Sequence, residues 1–399
     1  MLSQKAKDIV NATLPVVKPN SVAITSVFYP LMFERYPEVK AYFNEAHQLE
    51  GSQRKALANA VIAYAENLDR LEALGDAVSL IVQKHASLNI LPEHYPIVGE
   101  CLLAAIREVL GEPATDEVIA AWGEAYQQLA DILIAAEESV YKQHETLPGG
   151  WRGEREFVLV RKQVESDVIT SFYFEPVDGG ELAVFEPGQY TAITLTIADK
   201  TVRRNYSLSN SPGEDFYRLS VKREVDGLVS NYLHDDLIVG DIVKLTQPCG
   251  DFTLSSSQKP LVLLTGGVGI TPTISMLLPA LQTGRDVHFI HAAINSRHHA
   301  FKSWLEYLAS EFTNLKLTTI YSEPLAKDNC DLTGFIDQQK LDQLLPEARD
   351  LDLYFLGPKP FMKLVYNAAP DLGIPAEQTH FEFFGPLEDL SEEELVAEV

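Results

Sequence analysis

The stretch Leu261-Val262-Leu263-Leu264-Thr265-Gly266-Gly267-Val268-Gly269-Ile270-Thr271-Pro272 joins a short apolar run to a glycine-rich turn. The apolar run predicts a buried strand, and the turn predicts the start of a helix. A turn of this kind presents backbone N–H groups and a helix N-terminus, which together hold a pyrophosphate without a charged side chain. The pattern therefore favours a dinucleotide site, although a tight strand-to-helix turn that binds nothing is the alternative.

The composition is that of a soluble protein with several domains. A chain of 399 residues with 46% apolar residues can form two or three packed cores. The formal charge of −25 argues against nucleic acid and against an anionic membrane surface as partners. The three cysteines, Cys101, Cys249 and Cys330, lack CxxC spacing, so neither disulfides nor a cysteine zinc site is predicted. Without a transmembrane or signal segment, we expect a cytoplasmic protein.

The period of the apolar residues divides the chain into three regions. Residues 1–147 predict an all-α domain, with breaks near Pro37, Gly51, Pro92 and Gly111. Residues 148–257 change to a period of two and predict a small antiparallel β-barrel. Residues 258–399 alternate strands with helices and predict a doubly wound α/β domain.

Individual elements follow from the same patterns. The predicted barrel strands are 157–160, 168–174, 190–197, 217–221 and 242–245. In the α/β region the predicted strands are 261–264, 287–292, 315–321 and 351–356, with helices after Pro272 and near 301–309.

Several polar residues point into the predicted helical core. His85 lies seven residues after Val78 on one apolar face, so its imidazole is expected inside. Such a histidine is either a core residue bonded to a backbone carbonyl or an axial haem ligand. Tyr29 and Glu137 also continue apolar stripes, and Gln53 lies on a neighbouring helix. A His, a Tyr, a Gln and a Glu together indicate a polar cofactor chamber.

This set resembles the haem pocket of bacterial flavohaemoglobins, and the resemblance covers nearly the whole chain. It is carried by Tyr29, Tyr42-Phe43-Asn44, Gln53, Leu57, Lys84-His85 and Tyr95. The resemblance implies that His85 binds the haem iron and that Tyr29 and Gln53 face the bound gas. It also implies that Phe43 packs on the porphyrin and that Leu57 lines the pocket.

The resemblance further assigns the surroundings of the proximal histidine. Tyr95 and Glu137 match the partners that hold the imidazole and increase its anionic character. The alternative for Tyr95 is an exposed loop tyrosine beside Pro96. Lys84 matches a position that tunes the redox potential, with a solvated surface role as the alternative.

The barrel carries a motif similar to that of ferredoxin-reductase-like flavoproteins, Arg204-Asn205-Tyr206-Ser207. Arg204 can pair with a pyrophosphate, Tyr206 can stack on the isoalloxazine, and Ser207 can bond the N5 edge. Gly188-Gln189-Tyr190 precedes the motif and Gly227-Leu228-Val229-Ser230-Asn231 follows it in the family's order. The alternative is a cationic strand followed by an ordinary helix N-cap at Ser230. The predicted FAD-binding residues are Tyr190, Arg204, Asn205, Tyr206, Ser207, Val229 and Ser230.

The C-terminal segment also matches the family. Phe383-Phe384-Gly385-Pro386 corresponds to its aromatic cover of the flavin, and Glu382 to a carboxylate near the flavin. Without the resemblance, the segment fits a core strand that meets a turn, and Glu382 fits a surface carboxylate.

The resemblance implies that NAD(P)H binds at the glycine-rich turn. The predicted contacts are Gly267, Val268, Gly269, Ile270, Thr271 and Pro272, and Leu356-Gly357-Pro358 is expected to form a second turn. The family commonly has cysteine where Leu356 stands, so hydride-transfer geometry is in question. Only Arg297 follows the second strand, without a basic cluster for a 2′-phosphate, so NADH is favoured and NADPH stays open.

Together these features predict an NAD(P)H-dependent nitric oxide dioxygenase that contains haem b and FAD. It would convert nitric oxide and oxygen to nitrate, with electrons passing from NAD(P)H to FAD to haem. The alternatives are a hydroperoxide or ferric reductase, and a gas carrier or sensor that its own reductase keeps ferrous. The expected partners are small molecules, and a monomer is expected.

Overall fold

The computed structural model describes residues 2–43 and 52–385. The break predicted near Gly51 and the predicted flavin contact Pro386 lie outside this range. Among the described residues, no helix is both long enough and apolar enough to cross a membrane.

The first region consists of helices, as predicted. They are α1 (Gln4–Arg35), α2 (Ser52–Glu66), α3 (Gly75–Ser87), α4 (His94–Leu110) and α5 (Asp116–Thr146). Helices α1, α2, α4 and α5 share one apolar core, which includes Phe28, Met32 and Ile106. A smaller cluster, built from Val82, Tyr95, Ala130 and Leu133, joins α3, α4 and α5. His85 and Glu137 extend from this second cluster.

The second region is a curled antiparallel sheet with one short helix. Its elements are β1 (Glu154–Val164), β2 (Ile169–Pro176), β3 (Tyr190–Ile197), β4 (Lys200–Ser207), β5 (Tyr217–Lys222), α6 (Leu228–Asp235) and β6 (Ile242–Thr246). The strand order is β4-β3-β6-β1-β2-β5, and a bridge between Leu208 and Leu219 brings the two edges together. Strand β4 is absent from the predicted strands because most of its side chains are not buried.

The third region is a six-stranded parallel sheet with helices between its strands. Its elements are β7 (Leu261–Gly266), α7 (Ile270–Gln282), β8 (Val287–Ala293), α8 (Lys302–Glu311), β9 (Leu315–Tyr321), β10 (Leu332–Thr333), α9 (Gln338–Leu344), β11 (Asp352–Leu356), α10 (Lys359–Asp371) and β12 (Thr379–Phe381). The order β10-β9-β8-β7-β11-β12 changes direction next to β7, where doubly wound sheets bind their ligands.

The helix predicted to follow Pro272 begins two residues earlier, at Ile270. Proline is tolerated in the first turn of a helix, because the N–H that it lacks would have no partner inside the helix. The predicted start of α7 was therefore wrong, although the helix itself was predicted.

Candidate functional site

The His85 imidazole is fixed on one side by two buried residues. Its Nδ1 atom lies 2.7 Å from Oε1 of Glu137 and 3.1 Å from the hydroxyl oxygen of Tyr95. The Tyr95 hydroxyl donates to the same Glu137 oxygen at 2.5 Å. Because a carboxylate only accepts, the Nδ1 atom is the donor in this contact, and Nε2 is the ring nitrogen that Glu137 does not engage.

The burial of the two partners of His85 is unusual for polar groups. Glu137 is only 2% exposed. The pKa of the Tyr95 phenol is raised, mainly by burial and also by the neighbouring Glu137 carboxylate. Tyr95 lies in the first turn of α4 and is 7% exposed, so the alternative of an exposed loop tyrosine is wrong. Among the described residues, no group of three or more His, Cys, Asp or Glu side chains could hold a metal ion. A single histidine with a free Nε2 suits an iron whose other ligands come from a porphyrin.

The residues predicted on the gas-binding side also come together. Tyr29 is 4% exposed, and its ring meets Phe33 and Phe43 at centroid distances of 5.9 and 5.7 Å. Its hydroxyl donates to the backbone carbonyl of Gln53 at 3.3 Å. Leu57, one turn later on α2, packs against the same core. The structure thus places a phenolic hydroxyl among apolar and aromatic side chains.

Five of the predicted flavin residues, Tyr190 and Arg204 to Ser207, lie on β3 and β4, whose pairing sets Tyr190 opposite Ser207. The Tyr190 hydroxyl is buried and has no hydrogen-bond partner among the described residues. Burial also raises its pKa. An unpaired buried hydroxyl is costly, so a polar edge of a bound flavin would be a fitting partner for it.

Other residues of this motif contact the helical region. The Arg204 guanidinium donates to the Phe43 carbonyl at 3.2 Å, and the Asn205 side-chain oxygen accepts from Ser87 at 3.2 Å. Tyr206 is largely buried, and burial raises the pKa of its phenol. The motif is therefore part of the boundary between two regions as well as of the barrel.

Helix α6 begins after Gly227, and Val229 and Ser230 lie in its first turn. Ser230 is not the N-cap that the alternative interpretation required. Its hydroxyl donates to the Gly227 carbonyl at 3.2 Å and accepts from the Glu224 N–H at 3.1 Å.

The glycine-rich turn after β7 lies against the turn after β11. A Cβ on Gly269 would lie 2.1 Å from the carbonyl oxygen of Leu356, and one on Gly357 would lie 3.2 Å from the Cα of Gly266. Gly267 has φ +53, a conformation that favours glycine. Residues 269–272 are buried, whereas Gly267 and Val268 form the partly exposed tip. The backbone of that tip is thus the surface offered to a pyrophosphate.

Two further features concern the nicotinamide coenzyme. The Leu356 side chain is 1% exposed and belongs to the apolar core of the sheet. The Arg297 guanidinium binds the Asp167 carboxylate of the barrel, with Nη2 and Nε at 2.5 and 2.6 Å from one oxygen. The neighbouring Ser296 donates to Asp328 through its N–H and its hydroxyl. The positive charge of Arg297 after β8 is therefore already paired with a carboxylate.

Comparisons with known proteins agree with this arrangement. The globin family matches residues 26–133, an oxidoreductase FAD-binding domain matches 156–254, and an oxidoreductase NAD-binding domain matches 263–367. Flavohemoproteins of Pseudomonas aeruginosa and Pseudomonas putida are 53% and 54% identical over 387 residues, covering 97% of this chain and 98% and 99% of theirs. The chain belongs to the flavohemoprotein family.

Solved structures support the family assignment. The flavohemoglobin of Malassezia yamatoensis, with bound FAD and haem, matches with a TM-score of 0.85 and 27% identity over 96% of this chain and 100% of that one. The FAD/NAD-binding domain of a nitric oxide dioxygenase from Vibrio cholerae matches with a TM-score of 0.54 and 37% identity, over 58% of this chain and 99% of that one. The predicted cofactors haem, FAD and NAD(P)H are confirmed.

In this flavohemoprotein the C-terminal segment returns to α3, the helix that carries His85. The Lys84 ammonium donates to the carbonyl of Gly385 at 2.5 Å, and burial lowers the pKa of this lysine. Burial raises the pKa of Glu382 to about 7. The Lys84 ammonium acts against this increase, and the Asp251 carboxylate adds to it. Glu382 is buried, so its alternative as a surface carboxylate is wrong, whereas Lys84 is partly exposed. Of the predicted aromatic cover, Phe383 packs on the sheet and Phe384 is 47% exposed.

The sequence analysis missed a set of contacts between α3 and the flavin barrel. They involve Ser79, Gln83 and Ser87, which are spaced four residues apart. This spacing places them on one helical face and was the available signal.

Proposed function

We propose that this flavohemoprotein is a nitric oxide dioxygenase, which forms nitrate from nitric oxide and oxygen at the expense of NAD(P)H. The observation that carries the proposal is the pair of buried residues, Glu137 and Tyr95, that holds the His85 imidazole in a chain that also contains a flavin and nicotinamide reductase. The match to a reductase domain of a nitric oxide dioxygenase supports the same activity.

When bound, FAD divides the electron pair of a hydride into single electrons, and haem iron supplies one-electron oxygen chemistry. His85 would hold the haem iron through Nε2, and its Nδ1–H hydrogen bond to Glu137 would make the imidazole a stronger donor. Tyr29 carries a phenolic O–H among apolar and aromatic side chains, where it would stabilise negative charge on a diatomic ligand of that iron. The turn at Gly267 binds the coenzyme pyrophosphate.

The test compares NADH oxidation by the holoenzyme in oxygenated buffer with and without nitric oxide, and measures nitrate. We expect nitric oxide to accelerate NADH oxidation with nitrate as product. The variant His85→Ala should lose haem, keep FAD and show no acceleration. Nitric oxide that leaves the NADH oxidation rate unchanged, or a wild-type reaction that forms no nitrate, would refute the proposal.

A further inference from the structure

Helix α3, which carries His85, is held against the flavin barrel by hydrogen bonds from one of its faces. The Ser79 hydroxyl donates to the Asp251 carboxylate at 2.6 Å, and the Gln83 side-chain oxygen accepts from the Gly250 N–H at 3.0 Å. Both contacts engage the short barrel segment 249–251. This segment and α3 belong to different cofactor-binding regions.

The barrel segment cannot move without moving a flavin residue. Gly250 has φ +114, and a Cβ at this position would lie 2.7 Å from Cε1 of Tyr190. The backbones of Cys249 and Tyr190 exchange two hydrogen bonds, of 2.8 and 2.9 Å. The Gly250 N–H that bonds Gln83 is therefore coupled to Tyr190 by the backbone pairing of Cys249 and by the close approach of Gly250 to the ring.

The same ring also meets the haem side directly. Tyr190 and Cys249 share a small buried cluster with Ala86 and with Tyr141 of α5. Ala86 is the residue after His85. Packing at this boundary thus connects Ala86, the neighbour of His85, with the Tyr190 ring. The hydrogen bond from Gly250 to Gln83 fixes the position of α3 relative to this ring.

We infer that Gln83, assisted by Ser79, is a positioning residue that sets the separation of flavin and haem and so controls electron transfer between them. In this step one electron leaves the reduced flavin and one ferric haem gains it, and two such transfers consume the pair that one NAD(P)H delivers. The inference rests on the haem and FAD sites and does not depend on nitric oxide.

The decisive experiment mixes the holoenzyme with NADH without oxygen or nitric oxide, and follows flavin bleaching and the haem Soret band separately. In Gln83→Leu, flavin bleaching should keep its wild-type rate. Haem reduction should slow about fivefold, the factor expected from the loss of one neutral hydrogen bond. Gln83→Glu keeps an acceptor of the same length and should restore most of the rate.

Two controls make the result specific. Gln127→Leu makes the same chemical change on the exposed surface of α5, where the amide bonds only Asp131 in the described structure, and should leave both rates unchanged. Amide exchange should quicken within 249–251 in Gln83→Leu but not in Gln127→Leu.

If Gln83→Leu does not retain both cofactors, Ser79→Ala provides the test, because it removes the other contact of the same face. Slower haem reduction with unchanged flavin reduction supports the inference. Haem reduction at the wild-type rate, or an equal slowing of both steps, overturns it. A failure to form nitrate from nitric oxide would refute only the proposed function, because this assay contains neither gas.

Discussion

The Nδ1 atom of His85 lies 2.7 Å from Oε1 of Glu137, and Glu137 is only 2% exposed. A carboxylate this deeply buried must be compensated by donors, and here the imidazole N–H and the Tyr95 hydroxyl supply them. Each partner therefore constrains the other. The carboxylate fixes the tautomer and orientation of the ring, and the ring makes burial of the carboxylate tolerable.

Glu137→Gln should raise the haem reduction potential, because a neutral amide leaves the imidazole a weaker donor that stabilises ferric iron less. Changes to residues that hydrogen-bond a metal ligand typically cost about tenfold or more in metal affinity or activity. We expect the haem affinity to fall by about that factor. Potentiometric titration and haem transfer to an acceptor protein measure the two effects. Glu138→Gln changes the adjacent carboxylate, which binds Arg152 at the surface. This control should change neither the haem reduction potential nor haem retention. Equal potentials in both variants would contradict the role of Glu137.

The glycine-rich turn was predictable because its signal is local. A fully buried strand, β7, is followed by Gly267, whose φ of +53 favours glycine, and by Gly269, where a Cβ would collide with the Leu356 carbonyl oxygen. Strand β4 and the short elements β10 and β12 gave no comparable signal, since exposed or two- to three-residue strands have little apolar periodicity. Tertiary pairing, not sequence pattern, defines them.

Gly269→Ala should destabilise the coenzyme turn, because its Cβ would lie 2.1 Å from the Leu356 carbonyl oxygen. Overpacking of this kind costs about 1–3 kcal/mol, so we expect a higher KM for NADH and slower flavin reduction. Haem and flavin contents should stay normal. The matched control is Gly123→Ala in α5, whose Cβ would make only an ordinary 3.5 Å contact with Leu103. A wild-type KM in Gly269→Ala would disprove the importance of the close approach.

Some residues of the candidate site could be predicted from local sequence patterns, and others are defined only by contacts between distant segments. His85, Tyr29 and Glu137 were predicted because polar side chains interrupt apolar helical stripes. The contact of Ser79 with Asp251 spans 172 residues of sequence and joins two separately folded regions. Nothing in either segment specifies the other, so only the docked structure reveals it.

The pairing of Arg297 with Asp167 leads to a prediction about coenzyme choice. An arginine already bound by a carboxylate is a poor ligand for a 2′-phosphate, so the protein should prefer NADH. Asp167→Ala frees the guanidinium and should raise kcat/KM for NADPH relative to NADH by about tenfold, the value of one charge-assisted hydrogen bond. Asp342→Ala, which breaks a similar surface pair with Arg349, is the control. An unchanged NADPH to NADH ratio in Asp167→Ala would remove Arg297 from coenzyme selection.

Glu382 should make stability depend on pH, because burial raises its pKa from 4.5 to about 7. Between these values the folded protein keeps the proton that the unfolded chain releases, so the contribution of this group to stability falls as the pH rises from 4.5 to 7. Above pH 7 both states are ionised and no further loss occurs. Glu382→Gln removes the effect, so it should match wild type near pH 5 and exceed it at pH 8 by up to about 3 kcal/mol. Thermal unfolding of both proteins at the two pH values measures this difference. The exposed Glu377→Gln should show no such change, and a constant offset between wild type and Glu382→Gln would mean that Glu382 is ionised throughout.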